Sequence, residues 1–259
     1  MRTSTTTPEL TPHVCFSARG LLLHDNPSYA DWTLQFLHSK GVRPSKEEWR
    51  RQILQQMREM SSKAQEISGR FVESDFLVES LVRHYLPQKA EEAVQLRRGM
   101  TRIVIAEEVF DLLEALGDRG YPLGILSNEG VELIEALRIN RLLDYFQFVL
   151  TADDVVHPKP NIKIFEMAME EFGAQPNEMI MVGDRFALDV EPALGAGWQA
   201  ILYDPTGFER EAYRHHESKK EAAETSESKV ISMGNRRATK SFHGARVIER
   251  LAELSEILK

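Results

Sequence analysis

Strands and helices alternate along the second half of the chain, from about residue 103 to residue 203. Short apolar runs, such as those at 121–126 and 179–182, are each followed by a stretch with apolar side chains at helical spacing. Strands separated by helices of this length are joined by right-handed crossovers and pair in parallel. The alternation therefore predicts an α/β fold, a mainly parallel sheet with helices on both faces.

The first predicted strand lies in the sequence HVCFSARGLLL, residues 13–23. Its apolar part, residues 14–16, ends at Ser17, and the chain then turns through Arg19 and Gly20 into a second apolar run. Ligands of open α/β sheets bind beyond the carboxyl ends of the strands. We therefore expect this edge to be the place where the sheet does its chemistry.

Residues 26–100 read as helix throughout, with no strand pattern. Apolar side chains recur at helical spacing in three stretches, which include Leu34 and Leu37, Ile53 and Met57, and Leu77, Leu81 and Tyr85. This block predicts an all-helical cap inserted after the first strand. The remaining core would comprise residues 13–25 and 101–259, and the polar residues 1–12 are predicted to be a disordered lead-in.

Composition and charge narrow the class of protein. The net charge of −8 is spread over interleaved acidic and basic residues, which argues against a nucleic-acid or anionic-membrane partner. No apolar run approaches the roughly 18 residues of a membrane span, and the amino terminus lacks the apolar segment of a signal peptide. The single cysteine, Cys15, excludes an intrachain disulfide framework. Together these features predict a cytoplasmic location.

The segment 208–243 is highly charged and longer than a connection between neighbouring strands usually needs. We interpret it as a surface excursion inserted in the core, with a short strand near 229–233. A partner-binding element is the alternative. An amphipathic helix with Val247, Leu251 and Leu254 closes the chain.

Polar residues follow several of the predicted strands: Ser127 and Asn128 after LGIL, Lys159 in a loop before a helix, and Asp184 and Asp189 within MVGDRFALD. In a parallel sheet these positions converge on one edge. Hydroxyl and amide groups donate to phosphate oxygens, lysine neutralises them, and carboxylates bind Mg²⁺. Each residue alone is typical of a turn or a helix cap, but the ordered set points to a phosphorylated ligand.

The ordered set LSN, KPNIKIF and VGDRFALDVEPALGAGW resembles the second, third and fourth motifs of the haloacid dehalogenase (HAD) superfamily. The helical block resembles that superfamily's C1 cap, and the resemblance covers residues 14 to about 205. It implies a Rossmannoid sheet, phosphoryl binding by Ser127, charge neutralisation by Lys159, and an Mg²⁺ site served by Asp184 and Asp189, directly or through water.

The first motif departs from the family pattern hhhDxDGTL, in which h is apolar. There the first Asp is the nucleophile and a metal ligand, and the second is the general acid/base. Here Ser17 and Arg19 stand at those positions, and Leu21 replaces the Thr. A Ser hydroxyl without an adjacent base is a poor nucleophile, and Arg keeps its proton near neutrality. Loss of the carboxylate and gain of a fixed positive charge both oppose Mg²⁺ binding.

These changes lead to two hypotheses for Arg19. Either it replaces the cation by pairing with Asp184 or Asp189, which would leave Ser127, Lys159 and backbone amides as a metal-free anion site, or it points to solvent from a decayed site. For the whole protein we expect a pseudophosphatase that binds a phosphorylated small molecule or anion, or a protein partner or second copy of itself. The alternative is an active hydrolase of phosphate esters, Mg²⁺-dependent or atypical, that uses Ser17 or an activated water.

Overall fold

The computed structural model describes residues 11–64, 72–214 and 241–258. Within these ranges the strands are, in chain order, β1 (His13–Phe16), β2 (His24–Asn26), β3 (Arg102–Val104), β4 (Leu123–Leu126), β5 (Phe148–Leu150), β6 (Met179–Gly183), β7 (Gln199–Tyr203), β8 (Ser241–Phe242) and β9 (Ala245–Ile248). The lead-in up to residue 10 and the strand predicted near 229–233 lie outside the described residues.

The main sheet has seven strands in the order β5-β4-β1-β6-β7-β9-β8. Every neighbouring pair is parallel except β8 and β9, which are antiparallel. The predicted α/β fold with a mainly parallel sheet is therefore confirmed. Because β1 lies between β4 and β6, with Phe16 opposite Ile125 on one side and Val182 on the other, the residues that follow β1, β4 and β6 meet at one edge.

The helices are α1 (Tyr29–Ser39), α2 (Lys46–Ala64), α3 (Glu73–Tyr85), α4 (Ala90–Met100), α5 (Glu107–Asp118), α6 (Glu132–Ile139), α7 (Ile162–Phe172), α8 (Glu191–Gly195), α9 (208–214) and α10 (Ala252–Ile257). Both faces of the sheet are buried, as the alternation along β1 shows. Val14 and Phe16 pack into the cluster that includes α5, α6 and α10, whereas Cys15 packs into the cluster that includes α7 and α8. All three residues have no exposed surface, which explains the unbroken apolar run.

The helices α1 to α4 form an insertion between β2 and β3. These two short strands pair antiparallel as a ribbon, with His24 opposite Val104 and Asn26 opposite Arg102. The chain therefore leaves the core and returns to it at neighbouring points. Each of these strands has three residues, too few to show an alternating pattern from which the ribbon could be predicted.

The interpretation of 208–243 as a surface excursion is wrong for its first part. Residues 208–214 form α9, in which Ala212 is 4% exposed and packs among Ile53, Met57 and Leu81 of the insertion. Phe208, one helical turn earlier, joins the same cluster. The physical reason is the four-residue spacing of these two side chains, which places them on one face of the helix. Among the described residues, every helix is too short or too polar to span a bilayer.

Candidate functional site

A cavity of about 440 Å³ lies between the carboxyl edge of the main sheet and the helical insertion. Six of the seven residues predicted for the site line it: Ser17, Arg19, Ser127, Asn128, Lys159 and Asp184. The seventh, Asp189, is fully buried behind the cavity wall and touches the site through Lys159.

Lys159 is held by a buried ion pair. Its Nζ lies 2.6 Å from Asp189 Oδ1, and the two side chains are 3% and 1% exposed. The same Nζ lies 3.2 Å from Ser17 Oγ, and the second carboxylate oxygen of Asp189 accepts from the Arg185 backbone N–H at 3.0 Å. An ammonium has three donors. Within the described part of the chain two of them are used, by Asp189 and Ser17, which leaves the third for an anion in the cavity.

The described structure places no base within hydrogen-bonding distance of the Ser17 hydroxyl. Among the described residues, Lys159 is the one hydrogen-bond partner of the Ser17 hydroxyl. An ammonium that is ion-paired with a buried carboxylate has no lone pair with which to take the Ser17 proton, so it acts as a donor to Ser17. A hydroxyl in this setting is not activated for attack on phosphorus.

Arg19 pairs with neither of the carboxylates expected for it. Its Nε lies 2.5 Å from Glu129 Oε1 and its terminal nitrogen 2.5 Å from Asp25 Oδ1, and the buried Arg97 binds the other Asp25 oxygen. Both hypotheses for Arg19, pairing with Asp184 or Asp189 and pointing to solvent, are therefore wrong. Burial lowers the Arg19 pKa, but the charges of Glu129 and Asp25 outweigh that effect and raise it.

The backbone turn after Ser17 explains this pairing. The amides of Leu22 and Leu23 both bond to the Ala18 carbonyl, and the Gly20 amide bonds to the Leu23 carbonyl. This tight turn brings the following segment, with Asp25, back beside Arg19. Gly20 itself has φ +88°, and a Cβ there would lie 2.1 Å from Asp184 Oδ2. Asp184 thus packs on the Gly20 backbone.

Arg185 is the cation beside Asp184, and sequence reasoning missed it although it is the next residue. Its Nε lies 3.8 Å from Asp184 Oδ2 and 2.6 Å from Glu73 Oε2 of α3, and its terminal nitrogen lies 3.5 Å from Glu209 Oε2 of α9. Three carboxylates therefore share one guanidinium. Burial raises the pKa of Asp184 well above its usual range and that of Glu209 to about 7, although Arg185 opposes both shifts.

The residues present do not fit Mg²⁺ in this arrangement. Mg²⁺ is held at octahedral positions by one or two protein carboxylates together with waters and phosphate oxygens, so the fit depends on Asp184 and Asp189. Both Asp189 oxygens are already hydrogen-bonded, and Asp184 faces Arg185. Ser17 supplies a neutral hydroxyl where a carboxylate would be needed.

Ser127 and Asn128 shape the loop after β4. Ser127 Oγ accepts from the Glu129 N–H at 3.1 Å, and Asn128 Nδ2 donates to the Lys159 carbonyl at 2.8 Å. The second bond ties the β4 loop to the loop that carries Lys159. Asn128 is 6% exposed, and its Oδ1 is buried with no partner among the described atoms.

The wall of the cavity opposite the strand ends comes from elements for which sequence reasoning named no site residue. The insertion contributes Tyr29, Ile53 and Glu73, and α9 contributes Phe208 and Glu209. Their apolar members could be recognised from the sequence only as parts of packing stripes, because nothing in one chain tells a cavity-lining face from a core face.

The sequence model of the haloacid dehalogenase-like hydrolase family matches residues 20–203. The chain belongs to this family. Its matches among characterised relatives are shorter: it is 40% identical over 89 residues to glyceraldehyde 3-phosphate phosphatase of Methanothermobacter thermautotrophicus, covering 34% of this chain and 39% of that protein. It is 31% identical over 117 residues to the pyrophosphatase PpaX of Bacillus velezensis, covering 42% and 54%. The chain thus spans about half or less of the length of these relatives.

Solved structures of other family members share the fold over nearly the whole chain. An HAD phosphatase from Thermococcus onnurineus is 24% identical with a TM-score of 0.54, covering 95% of this chain and 97% of that one. L-2-haloacid dehalogenase of Xanthobacter autotrophicus is 21% identical with a TM-score of 0.62, covering 95% and 98%. These identities establish the shared architecture alone.

Proposed function

We propose that this family member binds a phosphorylated small molecule in the cavity without hydrolysing it through an aspartyl intermediate. The observation that carries the proposal is the environment of Ser17. At the end of β1 a neutral hydroxyl, hydrogen-bonded to the ion-paired ammonium of Lys159, stands where the family pattern has a carboxylate nucleophile. No described group beside it can remove its proton.

The same geometry favours binding of the phosphoryl group. A neutral hydroxyl does not repel a phosphate dianion as a carboxylate would, and Lys159 keeps one donor for it. Ser127 and Asn128 line the same cavity, next to the strand end whose backbone amides face the ligand position in α/β sheets. Arg19, tied to Asp25 and Glu129, fixes the loops on both sides of this position.

Active hydrolysis is the second candidate, and the names of the relatives favour it, since they are described as phosphatases and pyrophosphatases. It requires an activated nucleophile that the described residues do not supply around Ser17. An active protein would therefore have to rearrange the contacts of Lys159 or use another group to activate a water molecule as the nucleophile.

Hydrolysis of an aryl phosphate, with and without Mg²⁺, separates the two candidates. The protein is compared with the variant that carries Ser17→Asp and Arg19→Asp, and with a matched control that carries Ser17→Asn and Arg19→Asn. We expect no turnover by the unaltered protein or the control, and turnover only by the variant with both carboxylates. Turnover by the unaltered protein, lost in a folded Lys159→Arg variant, would overturn the proposal.

The binding half of the proposal is tested by calorimetric titration with inorganic phosphate in the presence of Mg²⁺ and again in EDTA. We expect saturable binding in both conditions, because Lys159 and the neutral site hold the anion without a metal. Binding that disappears in EDTA would contradict the metal-free site.

A further inference from the structure

The charged groups that line the cavity are not balanced. Six acidic residues line it with three cations, and two of the six, Asp25 and Asp204, are also paired with Arg97 and Arg210, which do not line the cavity. Arg19 and Lys159 each have carboxylate partners at or behind the sheet edge, whereas Arg185 alone faces Glu73, Asp184 and Glu209. The excess of acidic groups therefore lies around Arg185, apart from Lys159, and a positive group on the ligand would offset it there.

An unpartnered buried acceptor lines the same cavity. Asn128 is more than nine-tenths buried, and its Oδ1 receives no hydrogen bond from the described residues. A buried acceptor without a donor is unfavourable. A bound molecule that carries N–H or O–H donors satisfies such an atom, whereas a phosphate group, which is mainly an acceptor at neutral pH, does not.

Glu209 is held in the cavity wall by contacts on both sides of α9. Its Oε1 accepts from the Phe186 backbone N–H at 2.9 Å, and the Phe186 ring lies 4.2 Å from that of Tyr213 on the same helix. On the insertion side, the guanidinium of Arg50 lies 4.4 Å from the centre of the Phe208 ring. A carboxylate fixed in this way needs no rearrangement to receive a ligand, which is how binding sites achieve selectivity.

We propose that Glu209 is a specificity-determining residue that selects an O-phosphorylated primary amine over phosphate esters without an amine. The ammonium of such a ligand offsets the excess of carboxylates at the wall formed by Glu73 and Glu209, while its phosphate lies against Lys159. This inference rests on the proposed function, since it concerns the part of the ligand that does not contact the phosphate site.

Two isosteric ligands isolate the ammonium: 2-aminoethyl phosphate and n-propyl phosphate, in which a methyl group replaces the ammonium. Both are titrated in EDTA against the unaltered protein, Glu209→Gln and the matched control Glu211→Gln. Glu211 lies on the same helix, is paired with Arg50 at the surface and does not line the cavity. We expect the unaltered protein and the control to prefer the amine by about tenfold, the size of one charge-assisted hydrogen bond, and Glu209→Gln to lose most of this preference.

Inorganic phosphate distinguishes the two ways to fail. If phosphate and both esters bind with no preference for the amine, or if Glu209→Gln keeps the full preference, this inference is wrong and the proposed function stands. If none of the three binds, the proposed function fails and the inference with it. Should Glu209→Gln not fold, Glu73→Gln removes a charge from the same wall through α3 and must lower the same preference.

Discussion

The buried pair of Lys159 and Asp189 makes the sharpest prediction about this fold. Replacing Lys159 with Met keeps the volume of the side chain but leaves the Asp189 carboxylate, 1% exposed, without its counter-ion at 2.6 Å. Breaking a buried ion pair on one side costs about 3–5 kcal/mol. For a chain of this size, such a loss lowers the melting temperature by roughly 6–20 °C.

Urea unfolding followed by circular dichroism measures the free energy of unfolding for Lys159→Met, Asp189→Asn and the double variant. We expect each single variant to lose several kcal/mol, and the double variant to lose clearly less than the two together, because it contains no isolated buried charge. The exposed pair of Lys163 and Glu166 is the control, and Lys163→Met should leave the transition unchanged. Additive losses in the buried pair, or a loss below about 1 kcal/mol for Lys159→Met, would refute the reasoning.

Three further perturbations have defined outcomes. Gly20→Ala should lower the free energy of unfolding in urea by at least about 2 kcal/mol and abolish phosphate binding, because it adds a clash with Asp184 to the strain of a positive φ. Gly41→Ala is the control: Gly41 has φ +83° with open space around it, so this variant measures the cost of the backbone strain alone. Ala212→Asp puts a carboxylate among apolar side chains and should lower the melting temperature by about 5 °C or more, and an unchanged value would contradict the packing of α9. The folded-state pKa of Glu209 is raised to about 7 from an ordinary 4.5, so its contribution to stability is complete below 4.5 and is lost as the pH rises through 7. That loss is at most about 3 kcal/mol, and Glu209→Gln should flatten the stability profile between these pH values.

Much of the core could be predicted because the spacing of the apolar residues and the residue types indicate the same helices and strands there. The strand predicted at 121–126 contains β4, Leu123–Leu126, and the strand predicted at 179–182 lies within β6, Met179–Gly183. Strand ends in a parallel sheet must converge, so six of the seven predicted site residues line one cavity. Convergence follows from the sheet alone and needs no knowledge of side-chain partners.

The partners of the charged side chains could not be predicted in the same way. Arg19 and Asp25 are six residues apart in the sequence. Nothing in the sequence shows that the chain turns between them and brings Asp25 back beside Arg19. Glu129 is more than 100 residues away and reaches Arg19 only because β4 lies beside β1. Charge pairing depends on side-chain directions, which the pattern of apolar residues does not fix.

The start of the charged segment was misread for a related reason. Its acidic and basic residues are typical of a solvated surface, but Phe208 and Ala212 are one helical turn apart and Glu209 has a buried hydrogen-bond partner. Two apolar side chains in a charged run are too few to show periodicity. Their burial depends on the groove that α2 and α3 provide, which is a tertiary feature.

The burial of Cys15 provides a way to time the opening of this molecule. It is the single cysteine of the chain, it lies in an interior strand of the sheet with no exposed surface, and burial raises its thiol pKa. A thiol reagent can reach it only after β1 separates from its neighbours, so the rate of labelling follows opening of the sheet. A substitution that loosens only the helical insertion should leave this rate unchanged, whereas one that breaks the Lys159 pair should accelerate it. The native sequence thus contains its own reporter, without an engineered label.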